Sequence, residues 1–262
     1  MPKENFANIS YWRFNKKEGN FGDELNIPVG KFLFGEKVTF EKDLPKSILL
    51  IGSNLGDIQS GQIACGVGLH HHSQQITREN LKNAEFRCVR GPLSLQYLKS
   101  HGVFVKDIYL GDPALLLPMF YKPKIDPELK SKIGVVPHIS NVEYFQNQIG
   151  KNKKFLLIDP SENWESVINK ICSCEKIISS SLHGLICADA FKKPNVWIKV
   201  RGKSIPPCDK NTDYGDFKYW DYFLSQGREV KFINYLFQDL KNKIYDGGNN
   251  IDLFELKKSI LV

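Results

Sequence analysis

Apolar residues recur in short blocks set apart by polar, glycine-rich and proline-rich stretches, and the blocks alternate between strand-like and helix-like periods. Ile9 to Phe14 reads as a strand. It runs into the turn-rich stretch Lys16 to Asp23 and then into an apolar-periodic segment around Leu25, Val29 and Phe32, a strand, loop and helix in which Pro28 is tolerated only within the first turn. Ile48 to Ile51 forms a second strand ending in Gly52-Ser53-Asn54, and Gln62 to Val67 a third, ending in Gly66-Val67-Gly68 ahead of His70-His71-His72. After the short strand Phe86 to Val89, Gly91-Pro92 opens a helix that Gly102 stops. The strand Val103 to Leu110 leads into Gly-Asp-Pro-Ala-Leu-Leu-Leu-Pro.

The polar stretch Tyr121 to Lys132 divides the chain into residues 1–122 and 123–262. The second part repeats the alternation: strands at Ile133 to Pro137, Phe155 to Ile158, Lys176 to Ser179 and Asn195 to Val200, with helices near Val142 to Gln148, after Ser161 and from Leu182. Alternation of this kind predicts the α/β class, a mostly parallel sheet covered on both faces. Ile233, Leu236, Phe237, Leu240 and Ile244 form a stripe that predicts a helix, and Asp252 with Glu255 resembles a capping box for a last one.

At 262 residues, 42% hydrophobic, the chain can bury a large core. No run approaches the roughly 20 apolar residues of a membrane span, and the start MPKENFANIS lacks a secretory core, so a cytoplasmic protein is expected. Six scattered cysteines fit reduced thiols, and the C-x-C pair Cys172 and Cys174 lacks partners for zinc. The charge of +7 suits an anionic small molecule or a lipid phosphate; the dispersed Lys and Arg argue against nucleic acid as a partner.

The segment Lys176 to Pro194 delivers Ser179, Ser180, Ser181, His183 and Gly184 to a helix start, where free N–H groups suit a phosphate or carboxylate. Its plainer reading is a serine cap beside a satisfied histidine. Consecutive side chains cannot all face one ion, so His70 to His72 read as loop or acceptor contacts, not a metal site. Tyr214, Tyr219, Trp220 and Tyr222 suit sugar stacking or ordinary core packing.

Ser179 to Gly184, with Ala188, Ala190 and Pro194, resembles the signature of the polysaccharide pyruvyl transferase family. Two further stretches resemble that family in the same order: Gly19 to Asn26, then Val89 to Ser94 followed by Gly111 to Ala114. The resemblance implies two Rossmann-like domains facing across a cleft, a GT-B-like arrangement. It also implies transfer of pyruvate from phosphoenolpyruvate to two hydroxyls of a sugar in bacterial exopolysaccharide or capsule synthesis. The acceptor would be free or lipid-linked at the inner membrane face, and neither cofactor nor metal is needed. It nominates His183 as the acid, Asp23 as its acceptor-side partner, and Arg90 as a two-pronged anion ligand, with Asn20, Gly22, Ser179, Ser180 and Ser181 lining the site. Asp23 also suits an N-cap, Arg90 a structural ion pair, and Asp112 reads as a cap before a base. Other family members often carry arginine at the position of Ser181, which turns attention to Arg201 or Lys203 as the missing cation. Two other functions share these features: a GT-B glycosyltransferase using a nucleotide sugar, and a noncatalytic glycan- or phosphate-binding protein.

Overall fold

In a computed structural model, residues 7–11, 19–40, 46–71, 75–103, 107–200 and 216–261 are described. The strands β1 (Ile48–Leu49), β2 (Ile63–Cys65), β3 (Glu85–Val89) and β4 (Tyr109–Leu110) form one parallel sheet in that order. Parallel bridges from Ile9 to Ile48 and from Asn8 to Thr39 extend it beyond β1. The winding therefore reverses between Ile9 and β1, and a reversal of this kind opens a crevice at the carboxyl ends of the strands. Around this sheet lie α1 (Phe21–Glu24), α2 (Asn26–Phe34), α3 (Arg78–Asn83) and α4 (Pro92–Ser100).

A second parallel sheet is built from β5 (Ile133–Val136), β6 (Phe155–Leu157), β7 (Lys176–Ser179), β8 (Asn195–Ile198) and β9 (Phe232–Ile233), in the order β6-β5-β7-β8-β9. Its reversal lies between β5 and β7. With it run α5 (Val142–Ile149), α6 (Trp164–Ser173), α7 (Leu182–Ala190), α8 (Phe217–Ser225) and α9 (Leu253–Leu261). The α/β class with parallel sheets is thus the observed architecture, and the strands of the two sheets fall on either side of Tyr121 to Lys132.

One apolar cluster runs through both sheets, from Ile9, Val29 and Leu50 through Ala114 to Leu117 and on to Val136, Ile177, Leu185 and Trp197. Helix α7 is buried along its whole length, which is why LHGLICADA shows no polar face. Two helices of the last third return to the first sheet: α8 packs on α4, and α9 packs on β3 and β4. Among the described residues, no helix is long and apolar enough to cross a membrane.

The stripe from Ile233 to Ile244 is not a helix. Ile233 pairs with Ile198 in β9, and turns follow it, with Asn242 at positive φ. Ile233 and Leu236 are nonetheless buried, with Leu240 and Ile244 packed against them, so the apolar positions were selected for burial while the edge of the sheet decided their backbone. Of the capping box, the Asp252 half is seen: its Oδ1 accepts from the N–H groups of Phe254 and Glu255, at 2.9 and 3.1 Å, starting α9, while the Glu255 carboxylate takes Lys258 Nζ at 3.2 Å.

The polar exception inside α7 is Asp189, fully buried and held by Arg228 Nη1 at 2.9 Å, Tyr222 Oη at 2.8 Å and Asn195 Nδ2 at 2.6 Å. Burial pushes its carboxyl up to about 6, while Arg228 pulls the other way. The guanidinium lies between the rings of Phe223 and Tyr245, 4.0 and 4.2 Å from their centroids. Replacing Asp189 by Ala leaves that cation buried and unmatched, so urea unfolding is expected to show a loss of about 3 kcal/mol or more. A loss below about 1 kcal/mol would mean that Arg228 escapes to water.

Candidate functional site at the facing strand ends

The carboxyl ends of β5 and β7 meet at the reversal of the second sheet. The N–H groups of Ser180 and Ser181 both donate to Val136 O, at 3.1 and 3.4 Å, and His138 N donates to Ser180 Oγ at 2.9 Å. Ser179 Oγ donates to Val136 O at 2.8 Å and accepts from Ser181 N at 3.0 Å. Ser181 caps α7, its Oγ accepting from Gly184 N at 3.4 Å. All three serines therefore shape the turn. A Cβ at Gly184 would run into Ser179 Oγ and Val136, so only glycine lets the strand turn so tightly into the helix. A helix leaves its first N–H groups without internal acceptors, and with Ser181 serving Gly184, those of Leu182 and His183 remain for a ligand.

The first sheet reaches this point through α1 and α2. Asn26 locks the loop after β1 to the α2 start: its Nδ2 donates to Ile51 O and Asp23 O, both at 2.9 Å, and its Oδ1 accepts from Ile51 N at 3.0 Å. Phe21 N donates to Pro160 O at 2.8 Å, tying α1 to the second half of the chain. Gly22 then lies so close to His183 that a Cβ there would collide with Nδ1. Asn20 Nδ2 donates to Asp23 Oδ2 at 2.9 Å. Burial raises the Asp23 carboxyl above the usual range, opposed by the charges of His183 and Lys218 and by the Asn20 bond.

On the other side of His183 stands Asp112, fully buried. Its Oδ1 caps Ala114 N at 2.9 Å, as its sequence position suggested. Its Oδ2 lies 3.7 Å from His183 Nε2, and both atoms are buried without a hydrogen-bond partner. The imidazole thus has Nε2 turned to Asp112 and Nδ1 to Gly22, with Asp23 near enough for its charge to interact with that of the ring. Spacing along the chain showed the cap and could not show the second oxygen, because β4 and α7 lie about 70 residues apart.

Arg90 has no solvent exposure. Its Nη1 donates to Gly52 O and Ser53 Oγ, at 3.2 and 2.8 Å, and its Nη2 to Leu69 O at 2.6 Å. Nη2 is also 3.2 Å from Asp221 Oδ2; Nε is left unpartnered. Both prongs of the guanidinium are therefore occupied by protein groups, the structural ion pair that the sequence had offered beside an anion ligand. Asp221 in turn caps α4, accepting from the N–H groups of Leu93 and Ser94 at 2.9 and 3.0 Å and from Ser94 Oγ at 2.7 Å. Arg201 and Lys203 lie outside the described residues, as do His72 and Tyr214. Trp220 is exposed, whereas Tyr219 and Tyr222 belong to the core.

Lys218, which sequence reasoning passed over, is half-buried, and its charge acts on Asp23. Desolvation and the charge of Arg90 lower its ammonium to about 8, against the pull of Asp23. Desolvation and then Lys218 hold His138 down to about 4 and lower His70 as well. The FKYWDYF segment carried no signal beyond its aromatic residues.

A family model described as polysaccharide pyruvyl transferase matches residues 20–201. The succinoglycan biosynthesis protein ExoV of Rhizobium meliloti is 31% identical over 205 residues, which span 72% of this chain and 58% of that protein. An uncharacterized protein of Acanthamoeba polyphaga mimivirus is 29% identical over 236 residues, 87% of this chain and 78% of its own length. Among solved structures, an uncharacterized protein of Klebsiella pneumoniae is 14% identical, with a TM-score of 0.44, over 88% of this chain and 95% of that one.

The close approach of Gly22 to His183 is directly testable. Gly22 has no positive φ, so alanine suits its backbone and only the imidazole must give way. Gly22→Ala is expected to move the His183 ring signals in ¹H–¹⁵N spectra while circular dichroism stays unchanged. Unmoved ring signals would show that the two residues are not in contact.

Proposed function

Since the chain belongs to the polysaccharide pyruvyl transferase family, we propose that it moves the pyruvyl group of phosphoenolpyruvate onto two hydroxyls of one sugar in a surface-polysaccharide precursor. The product is a cyclic ketal, and inorganic phosphate leaves. The observation that carries this reading is His183 at a helix start, 3.7 Å from the buried Asp112 carboxylate and within charge interaction of Asp23.

Phosphoenolpyruvate brings a carboxylate and a phosphate, and the α7 start receives one of these groups. Asp112, 3.7 Å from His183 Nε2, favours a hydrogen on that nitrogen, and Nδ1 gives its proton to the vinyl CH2 carbon. Positive charge then develops on the adjacent carbon, shared with the bridging oxygen. One sugar hydroxyl attacks that carbon and loses its proton to Asp23. The carbon–oxygen bond to phosphate breaks, and the second hydroxyl closes the ring, its proton returning to His183. The vinyl carbon has gained one proton from His183, the second hydroxyl has restored it, and the proton of the first rests on Asp23 until it passes to phosphate or water. The positive formal charge of the chain favours an acceptor carried on an anionic lipid surface at the inner face of the cytoplasmic membrane.

The test is to incubate the protein with phosphoenolpyruvate and a panel of hexosides, following phosphate release together with acceptor mass. His183→Asn is expected to lower turnover about a hundredfold or more with the fold intact. Unaltered turnover removes His183 from the chemistry. Phosphoenolpyruvate is expected to raise the melting temperature where nucleotide sugars do not; the opposite result favours a glycosyltransferase.

Asp23 acts as a base only when ionised, so kcat/KM is expected to rise with pH through a pKa above the ordinary carboxylate range. Asp23→Asn should abolish that acidic limb. A limb that survives the substitution assigns it to another group.

A further inference from the structure

Two groups in the cleft remain without a task in the proton transfers above. Lys218 is one. Helix α8, which carries it, is fixed on both sides: Tyr219 Oη donates to Ser180 O at 2.6 Å, at the edge of the α7 start, while Asp221 engages Arg90 and the start of α4. Its charge acts on Asp23 from the first half of the chain and on His138 from the second, so the ammonium stands between the two sheets. Among the described residues no carboxylate lies within ion-pairing distance of it, and Nζ stands 5.5 Å from the centroid of the Tyr219 ring. Arg90, the neighbouring cation, is already paired with Asp221. A half-buried ammonium left unmatched costs stability, and a site for an anion explains why it is kept.

His138 is the other. It stands at the carboxyl end of β5, its N–H bonded to Ser180 Oγ, and its Nδ1 accepts from Ser140 N at 3.3 Å and lies 2.8 Å from Ser140 Oγ. A backbone N–H can only donate, so Nδ1 is the acceptor nitrogen and Nε2 carries the hydrogen of the neutral ring. The residue thus offers a second donor beside Lys218, in a place where an imidazolium is disfavoured.

We propose that Lys218 and His138 form a phosphoryl subsite between the two sheets, taking the dianionic phosphate of a small phosphate ester while its remainder reaches toward His183. The assignment rests on the donor reading given above, and it separates the two anionic ends of that donor. The α7 start takes the carboxylate; Lys218 with His138 takes the phosphate and stays with it as it leaves. The other charged and titratable groups facing Lys218 are Asp23 from α1, Arg90 after β3 and His70 after β2.

Calorimetric titration of inorganic phosphate and of phosphoenolpyruvate into the unmodified chain, Lys218→Met and Lys218→Arg tests this. Lys218→Met is expected to weaken both ligands by about tenfold or more, the scale of one charge-assisted bond, and Lys218→Arg to keep most of the affinity. In the unmodified chain, phosphate affinity should fall as pH rises through about 8, a limb that Lys218→Arg removes. Circular dichroism confirms that each variant is folded, with Lys218→Gln as the substitute if Met is not. Phosphate binding by Lys218→Met equal to that of the unmodified chain overturns the subsite while leaving the donor reading intact. Phosphate bound but phosphoenolpyruvate refused retains the subsite and ends the donor reading. Failure of the unmodified chain to bind phosphate overturns the subsite outright.

Discussion

A guanidinium taken fully out of water must find its neutralising partner inside the protein, and Arg90 finds it in Asp221. That requirement organises the cleft. Asp221 belongs to α8, more than 120 residues further along the chain, so satisfying Arg90 draws α8 across onto the first sheet. The same carboxylate caps α4, and the guanidinium gathers the loops at Gly52, Ser53 and Leu69. With α8 fixed, Lys218 is carried to where its charge acts on Asp23 and His138. Gly91 belongs to the arrangement too: any side chain there would strike Asp221.

The second constraint is the crowding around His183. Two parallel sheets each reverse their winding, and their carboxyl ends are brought together so that Gly22 from one meets the histidine from the other. A fold of this kind supplies two crevices and makes one site from them. The resulting polarity is uneven: a buried carboxylate behind the ring, a raised one in front of it, and cations further along the cleft.

Much of this was legible from residue order. The alternation of strands and helices gave parallel sheets, because a period of two followed by one of 3.6 admits few other solutions. Gly19 to Asn26 and Ser179 to Gly184 were recognisable because tight turns restrict residue choice locally. What escaped was set by distance in sequence. Asp112 looked like a cap and is one, yet its free oxygen matters only because α7 lies beside it. Lys218 had no local signal, since its meaning comes from α8 crossing the molecule. The stripe from Ile233 to Ile244 misled for a related reason: burial was read correctly, but β8 offered a strand partner that periodicity cannot see.

Tyr219 ties α8 to the second sheet and Asp221 ties it to the first, so one helix is pinned on two of its sides. A strut of that sort resists any swinging of one half against the other. Reactants then meet an arrangement already at its working geometry, and the entropy of aligning the groups has been spent during folding. On the proposed reaction, that stiffness places selectivity in the fixed spacing of the groups around His183.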